Sequence, residues 1–414
     1  MAITARTFDR LLALAALAGA VVIALTASGL GDYPTDAGPA LTAIAHGNLS
    51  GFFSHQPAMG AVSLYLRAPF VILAAALHDS PVGMYRLGDL PCVLAVALVA
   101  LWMARTAGRR GMGPVGRTVM VAACLLVPLV GDALYWGHPE ELLTAGLAAG
   151  ALLAACEQRG VLAAVLAGLA VASKQWALLV VCPTLLVLER ERIRAAAVMF
   201  TAAAVSTLPM VIGNFAAFRH ALHYISTPQP VTTFFTWLYP LSPPGIVHIS
   251  NIFGDARTFS AHTVPATVSE ISHPLIIALG VAIPLLVWLR AGRHPSVQAM
   301  LSATALVFLL RCALDPSSIA YYHFPLLLTL VALDATSGRR IPTATIVGFV
   351  AAFTVLDRFP DYLPANVANA VYVLASVAAV AALTRALRTA PRLSDGPPGG
   401  DRSGRLPRLV AASD

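Results

Sequence analysis

Apolar runs of about 16 to 24 residues follow one another along almost the whole chain, broken only by short polar turns. Wound as a helix, a run of that length crosses a hydrocarbon layer of about 30 Å and bonds every backbone polar group internally. The short segments of period-two alternation that mark a membrane barrel are missing. Charged residues make up 11% of the chain and hydrophobic ones 58%, whereas a water-soluble domain carries roughly 25% charged residues. Such a surface cannot face water on all sides. The pattern predicts an all-α integral membrane protein of about ten to twelve transmembrane helices.

Arginines set the expected threading, because cytoplasmic loops collect them. Clusters fall at Arg105/Arg109/Arg110/Arg117, Arg159, Arg190/Arg192/Arg194, Arg290/Arg293, Arg339/Arg340 and from Arg385 onward. The first helix, about 8–31, then leaves a cytoplasmic N-terminus; its apolar core is too long for a signal peptide, and Ala27-Ser28-Gly29 is a weak cleavage site. Residues 32–57 form a first outer loop. The apolar stretch 58–77 cannot cross fully without putting Arg105–Arg117 outside, so it is expected to be interfacial or re-entrant. Spans are expected at about 84–104, 117–134 and 140–156, followed by a hairpin of two short helices over 160–188 with Ser173-Lys174-Gln175 at its tip. Further spans follow at about 195–213, 273–290, 296–313, 321–336, 341–357 and 365–384. The large outer loop 214–272, rich in aromatics, Pro and His, suits a membrane face. This gives one polytopic domain over 1–387 and a disordered cytoplasmic tail over 388–414. The sequence shows no internal repeat.

Other classes are excluded on composition. The net charge of +7 lies in short loops and the tail, where it sets topology, so no nucleic-acid partner is expected. The five cysteines all sit in apolar segments without metal-ligand spacing and read as packing residues. Of the 27 lysines and arginines only Lys174 is a lysine, a bias that, with heavy alanine use, fits a GC-rich bacterial genome and a bacterial inner membrane. Phosphate-loop, HExxH and GxSxG motifs are absent, as are the rows of intramembrane carboxylates of a proton-coupled pump and the repeat symmetry of a transporter.

Sorted by side, the polar residues concentrate at the outer face, where ionisable groups at a membrane boundary are functional candidates. Asp32 and Asp36 lie in Gly31-Asp32-Tyr33-Pro34-Thr35-Asp36, ahead of an apolar stretch to Gly47; Asp36 is either a helix cap or a general base held at the membrane surface. The turn Trp136-Gly137-His138-Pro139-Glu140-Glu141 opens a helix at Pro139, so Glu140 and Glu141 answer its dipole or, with His138, contact a sugar or a phosphate. Lys174, at a hairpin tip between apolar helices, calls for an anion, most naturally a lipid phosphate. Arg311, Asp315, Tyr321, Tyr322 and His323 put a cation, hydroxyls and an imidazole at one boundary; the plainer reading is a tyrosine belt with an Arg311–Asp315 pair.

In this order and spacing, these motifs resemble the GT-C membrane glycosyltransferases, in particular the bacterial mannosyltransferase-like branch, glycosyltransferase family 87 and its neighbours. The resemblance covers roughly residues 10–385 and rests on Thr35-Asp36 with the stretch to Gly47, on Trp136 to Glu140, on Gly168-Leu169-Ala170-x-Ala172-Ser173-Lys174-Gln175, and on Asp315 through Tyr322. This chain departs from the family in carrying His138, Glu140 and Glu141 where an amide-rich turn is usual, and Asp32 fits the family's spacing to Gly47 better than Asp36.

The resemblance implies a GT-C-like bundle whose first outer loop carries short juxtamembrane helices. It implies inverting transfer of a hexose, weakly favouring mannose, from a polyprenyl-phosphate carrier to a lipid- or polymer-linked hydroxyl at the outer face. Asp36 or Asp32 would be the base, Lys174, Arg311 and His138 would hold the donor phosphate, and Glu140, Glu141, Tyr321, Tyr322 and His323 would bind sugar or acceptor. The partners would be the sugar carrier, a lipid or glycan acceptor and membrane lipids. No cofactor is required of an already activated donor, though the acidic pairs leave room for a divalent cation. A lipid-linked saccharide flippase predicts polar residues along a central path rather than at one face, and a non-catalytic scaffold predicts that the outer carboxylates are dispensable.

Overall fold

The computed structural model describes residues 4–77, 80–226 and 231–389. The tail expected over 388–414 therefore lies outside the described residues from 390 onward. The chain is helical nearly throughout: α1 (Ala5–Leu25), α2 (Ala37–Ala45), α3 (Leu49–Ser54), α4 (Ala61–Ala76), α5 (Pro81–Arg109), α6 (Pro114–Leu125), α7 (Pro128–Tyr135), α8 (Pro139–Cys156), α9 (Gly160–Val171), α10 (Val181–Val187), α11 (Arg192–Gly213), α12 (Phe215–Ser226), α13 (Ala266–Arg290), α14 (Val297–Leu314), α15 (Phe324–Ser337), α16 (Thr343–Ala351), α17 (Phe359–Tyr362) and α18 (Ala365–Thr389). Proline stands in the first turn of α5, α6, α7, α8 and α15, where its missing N–H costs nothing and its fixed φ suits the helix.

Among the described residues nine helices are long and apolar enough to span a membrane, α6–α7 and α16–α17 each counting as one. The chain is a multi-pass membrane protein with an all-α transmembrane fold. Their burial divides them. α8 and α14 are almost enclosed, while α1, α11, α13, α16–α17 and α18 turn most of their apolar surface outward. The enclosed helices are rich in Ala and Gly, as in the run Ala148-Ala149-Gly150-Ala151 of α8, which lets helix backbones approach closely where lipid offers no hydrophobic drive to associate.

The two ends of the bundle differ chemically. One end collects the arginines. Arg117 bonds Asp9, Arg109 meets Glu157 at 2.6 Å, and Arg110 donates to the Thr336 carbonyl at 2.7 Å. The other end carries the first loop, the α7–α8 turn, the hairpin tip and the segment after α14. α4, within the stretch 58–77, is a 16-residue helix, shorter than those spans. At its start the Gly60 N–H meets the Ser173 carbonyl at 2.9 Å, and the first residues of α5 reach Ala27 through Arg86, which donates to its carbonyl at 2.9 Å, and α7 through Tyr85, which donates to the Leu134 carbonyl. The 160–188 segment is the expected hairpin, α9 and α10 joined by a 3-10 turn over Gln175–Val180.

The 214–272 loop is more ordered than its aromatic composition alone indicates. After α12 it forms a three-stranded antiparallel sheet in the order β1-β3-β2, with β1 Val231–Thr232, β2 Pro244–Ser250 and β3 Ala256–Thr263. β2 and β3 are joined through Asn251, whose side chain accepts from the Phe253 and Asp255 N–H groups at 3.0 and 2.9 Å, an Asx turn that substitutes for backbone partners.

One ion pair lies wholly inside. Arg67 of α4 and Asp89 of α5 meet at 3.3 Å with both side chains at 0% exposure, and the guanidinium stands 5.4 Å from the Tyr33 ring, which itself packs at 4.8 Å against Tyr85. Removing one partner strands a buried charge, at a cost of about 3–5 kcal/mol. Arg67→Ala is therefore expected to destabilise the protein by about that amount, whereas the double change Arg67→Met with Asp89→Leu restores most of it. Denaturant unfolding in detergent micelles measures both, and an Arg67→Ala variant as stable as its parent would refute this assignment.

Candidate active site

Two glycines fit the first loop onto the α7–α8 turn. Gly31 has φ +42° and Gly137 φ +84°, a backbone region that suits glycine. A Cβ on Gly31 would fall 2.0 Å from the Trp136 backbone. This approach lets the Asp32 N–H bond the Trp136 carbonyl at 2.9 Å. A 3-10 turn over Tyr33–Thr35 then delivers Asp36 to the start of α2. Asp36 makes no side-chain cap there. Its Oδ1 accepts instead from the Ala58 N–H at 2.9 Å, so the helix-cap role is not what the structure gives it.

Around Asp36 the charged residues join in one network. Glu140, fully buried in the first turn of α8, accepts at Oε1 from Lys174 Nζ at 3.0 Å and from His138 Nδ1 at 3.0 Å. The other nitrogen of His138 meets Asp32 Oδ2 at 3.4 Å. Lys174 also lies 3.4 Å from Glu141 Oε1, and Trp176 donates from Nε1 to Glu141 Oε2 at 2.6 Å. The hairpin tip is held there by Ser173, whose Oγ accepts from Thr144 of α8 at 3.0 Å. The lysine expected to meet a lipid phosphate thus already has two carboxylate partners.

The last expected segment contributes in part. The Tyr321 ring packs 5.6 Å from His138, and Tyr322 follows it against Arg311. Arg311 itself is enclosed, its guanidinium 5.0 Å from the Trp176 ring and 4.6 Å from the Tyr322 ring, with Nη1 donating to the Tyr322 carbonyl at 3.1 Å. It does not pair with Asp315, which faces His273 at 3.8 Å and caps the Ser317 N–H at 3.0 Å. His323 turns away from the network, bonding the Ala320 carbonyl and Tyr372 Oη of α18, each at 3.0 Å. A distance of one residue along a 3-10 turn points the two side chains in different directions.

The pocket's electrostatics separate its two aspartates. Burial is the main cause that raises the Asp36 carboxyl above the ordinary aspartate value, and the neighbouring Glu140 carboxylate adds to it. Asp32, with its side chain 52% exposed, is held below that value chiefly by its hydrogen bond to His138. Burial opposes charge on His138, but hydrogen bonds to Asp32 and Glu140 outweigh it and raise the imidazole to about 10. His138 is therefore a cation at neutral pH with both ring nitrogens donating.

Asp36, His138 and Glu140 each offer one metal-ligand atom, all within 4.8 Å of one another. The Lys174 ammonium on Glu140 already occupies part of that field and repels a second cation.

Ser173 and Trp176 stood in the sequence only as neighbours of Lys174, and the Arg67–Asp89 pair was not singled out. Arg67 and Asp89 carried the one usable signal, ionisable residues inside apolar runs, which are rare unless partnered.

The model of glycosyltransferase family 87 matches residues 64–316 of the chain, more than half of its length. No curated protein matches it.

The raised His138 gives a signed pH dependence. Its stabilising contribution is complete below the unfolded value near 6.5 and is lost as pH rises through about 10. Asp32, being lowered, contributes above the ordinary aspartate range and fades as pH falls below it. Thermal stability in micelles is thus expected to fall as pH rises from about 6.5 to about 10 and to level off above it, and His138→Ala to flatten that fall. An alkaline limb unchanged in the variant would remove His138 as its cause.

Proposed function

Because the chain belongs to glycosyltransferase family 87, we propose that it transfers a hexose, mannose or a close relative, from a polyprenyl-phosphate carrier to a hydroxyl of a lipid- or polymer-linked acceptor. The observation that carries this reading is a buried aspartate, Asp36, set beside an imidazolium and an ammonium at the end of the bundle opposite the arginines. If the arginine end is cytoplasmic, the reaction takes place at the outer face of a bacterial inner membrane, and both termini face inward.

In this reaction Asp36 takes the proton of the acceptor hydroxyl as its oxygen attacks the anomeric carbon. The bond from that carbon to the phosphate oxygen breaks on the opposite face, which inverts the configuration, and the carrier leaves as a phosphate monoester carrying one more negative charge. A carboxylate with an ordinary aspartate pKa is a weak base, and burial strengthens it by raising that value toward the working pH. Asp32 orients His138, a positioning role suited to its exposed, lowered carboxyl. His138 and Lys174 border the pocket and offset charge on the leaving phosphate. Arg311 supports Trp176 and Tyr322 from behind. Glu140, Glu141 and the tyrosines line the space for sugar and acceptor. His323 lies outside it, and we assign it no part in binding. No nucleotide or metal enters the scheme.

Purified protein in liposomes, supplied with polyprenyl-phosphate sugars and acceptor lipids, tests this. Asp36→Asn is expected to lower kcat by roughly 10²- to 10⁴-fold with folding intact, and Asp32→Asn by less. The acid limb of kcat/KM should lie above the ordinary aspartate value, because Asp36 must be ionised to act. Transfer should survive EDTA. Loss restored by Mn2+ or Mg2+ would place an ion among Asp36, His138 and Glu140 instead, and full activity in Asp36→Asn would move the base elsewhere.

A further inference from the structure

The donor of the proposed reaction is an anion, and both cations beside Asp36 are already shared with carboxylates. Asp32, Asp36, Glu140 and Glu141 confront Lys174 and His138, both already bonded to those carboxylates. Arg67 is neutralised by Asp89, and Arg311 is enclosed by Trp176 and Tyr322. A phosphate brought into such a field is repelled unless a further positive charge meets it.

The sheet in the 231–263 segment supplies one. It is tied to the site at several points. The Thr233 N–H meets the Pro316 carbonyl at 3.1 Å, and Ser317 Oγ donates to the Val231 carbonyl at 2.9 Å. At the other end, the Phe253 ring between β2 and β3 lies 5.8 Å from His55 of the first loop, and His220 of α12 bonds the Ile252 carbonyl at 2.8 Å. Arg257 stands on β3 next to that end. Register fixes its face: Val247 pairs with Phe259, and Arg257, two residues before Phe259, projects on the same side. On this face Val247 is 4% exposed and Phe259 38%, so it turns toward the body of the protein at Val247 and opens toward Arg257. Arg257 is itself exposed and forms no ion pair among the described residues. Its field reaches the site, adding to the His138 hydrogen bond that lowers Asp32. Tyr224 of α12, besides its own burial, feels the Asp36 and Asp32 carboxylates.

We propose that Arg257 binds the phosphate of the carrier-linked donor, reaching down from the sheet to complete the site when the donor enters. An arginine suits this task because its planar fork takes two phosphate oxygens at once and stays charged at any working pH. The proposal rests on the glycosyl-transfer reading. It adds to that reading the residue that selects a phosphate-bearing donor.

The test uses the full chain in phosphatidylcholine liposomes, with transfer kinetics on a polyprenyl-phosphate sugar and, separately, binding of polyprenyl monophosphate to the protein. Arg257→Ala is expected to raise the donor KM and weaken polyprenyl monophosphate binding by roughly ten- to a hundredfold, with the acceptor KM unmoved. Arg257→Lys should recover part of the loss and Arg257→Glu deepen it, while Arg219→Ala, the loss of another exposed arginine in the same loop, should leave both constants as in the parent. Parent-like donor kinetics in Arg257→Ala overturn the proposal and leave the enzyme reading standing. So does an equal rise in donor and acceptor KM, which marks a structural role. A loss seen only when anionic phosphatidylglycerol is added assigns the arginine to bilayer headgroups and overturns it too. If the parent protein neither transfers sugar nor binds the carrier phosphate, the enzyme reading itself falls and this proposal with it.

Discussion

The network centred on Glu140 is the interaction on which the rest of this site depends. A carboxylate at 0% exposure is tolerable only when its charge is matched and its lone pairs are bonded. Glu140 meets that demand by gathering Lys174 from the hairpin tip and His138 from the α7–α8 turn, and His138 in turn holds Asp32 of the first loop. Three segments far apart in the chain are therefore fixed to one another by the cost of leaving a buried charge alone. The packing follows from this electrostatic requirement, with the Ser173–Thr144 bond and the Gly60–Ser173 backbone contact setting the hairpin tip and the start of α4 around it.

The same requirement explains the silent half of the polar inventory. Arg67 and Asp89 are as deeply buried as Glu140 but pair with each other, and they pin α4 to α5 beneath the Tyr33 ring. The first loop thus rests on a neutralised pair below and on the His138 cation beside it, which leaves Asp36 in a buried place with a single backbone donor, Ala58. Burial, with the Glu140 carboxylate close by, is what raises its carboxyl. Asp32, four residues earlier, is exposed and bonded to a cation, and its carboxyl shifts the other way. Opposite shifts on two nearby carboxyls are how a site separates a base from a positioning group.

The α7–α8 turn is what gives the site this character. The turn carrying His138, Glu140 and Glu141 converts the neighbourhood of Lys174 from an open cation into a balanced ion network. An anionic ligand then gains from charge outside the bundle, the part proposed for Arg257 on the sheet between α12 and α13.

From the sequence alone the membrane class, the helical architecture and the hairpin at 160–188 were legible, because span length is a local property that the bilayer reads directly. The residues of the centre, Asp32, Asp36, His138, Glu140, Glu141 and Lys174, were legible as well, since ionisable groups stand out against apolar runs. Their pairing was not. Whether Lys174 meets a phosphate or a glutamate, whether Arg311 faces open space or two aromatic rings, and whether Asp36 caps a helix or accepts from the Ala58 N–H depend on distances of a few ångströms between segments far apart in sequence. The sheet and Arg257 were hidden for a related reason: strand pairing in a long loop is a non-local choice, and only the folded chain decides which face of a strand turns toward the site.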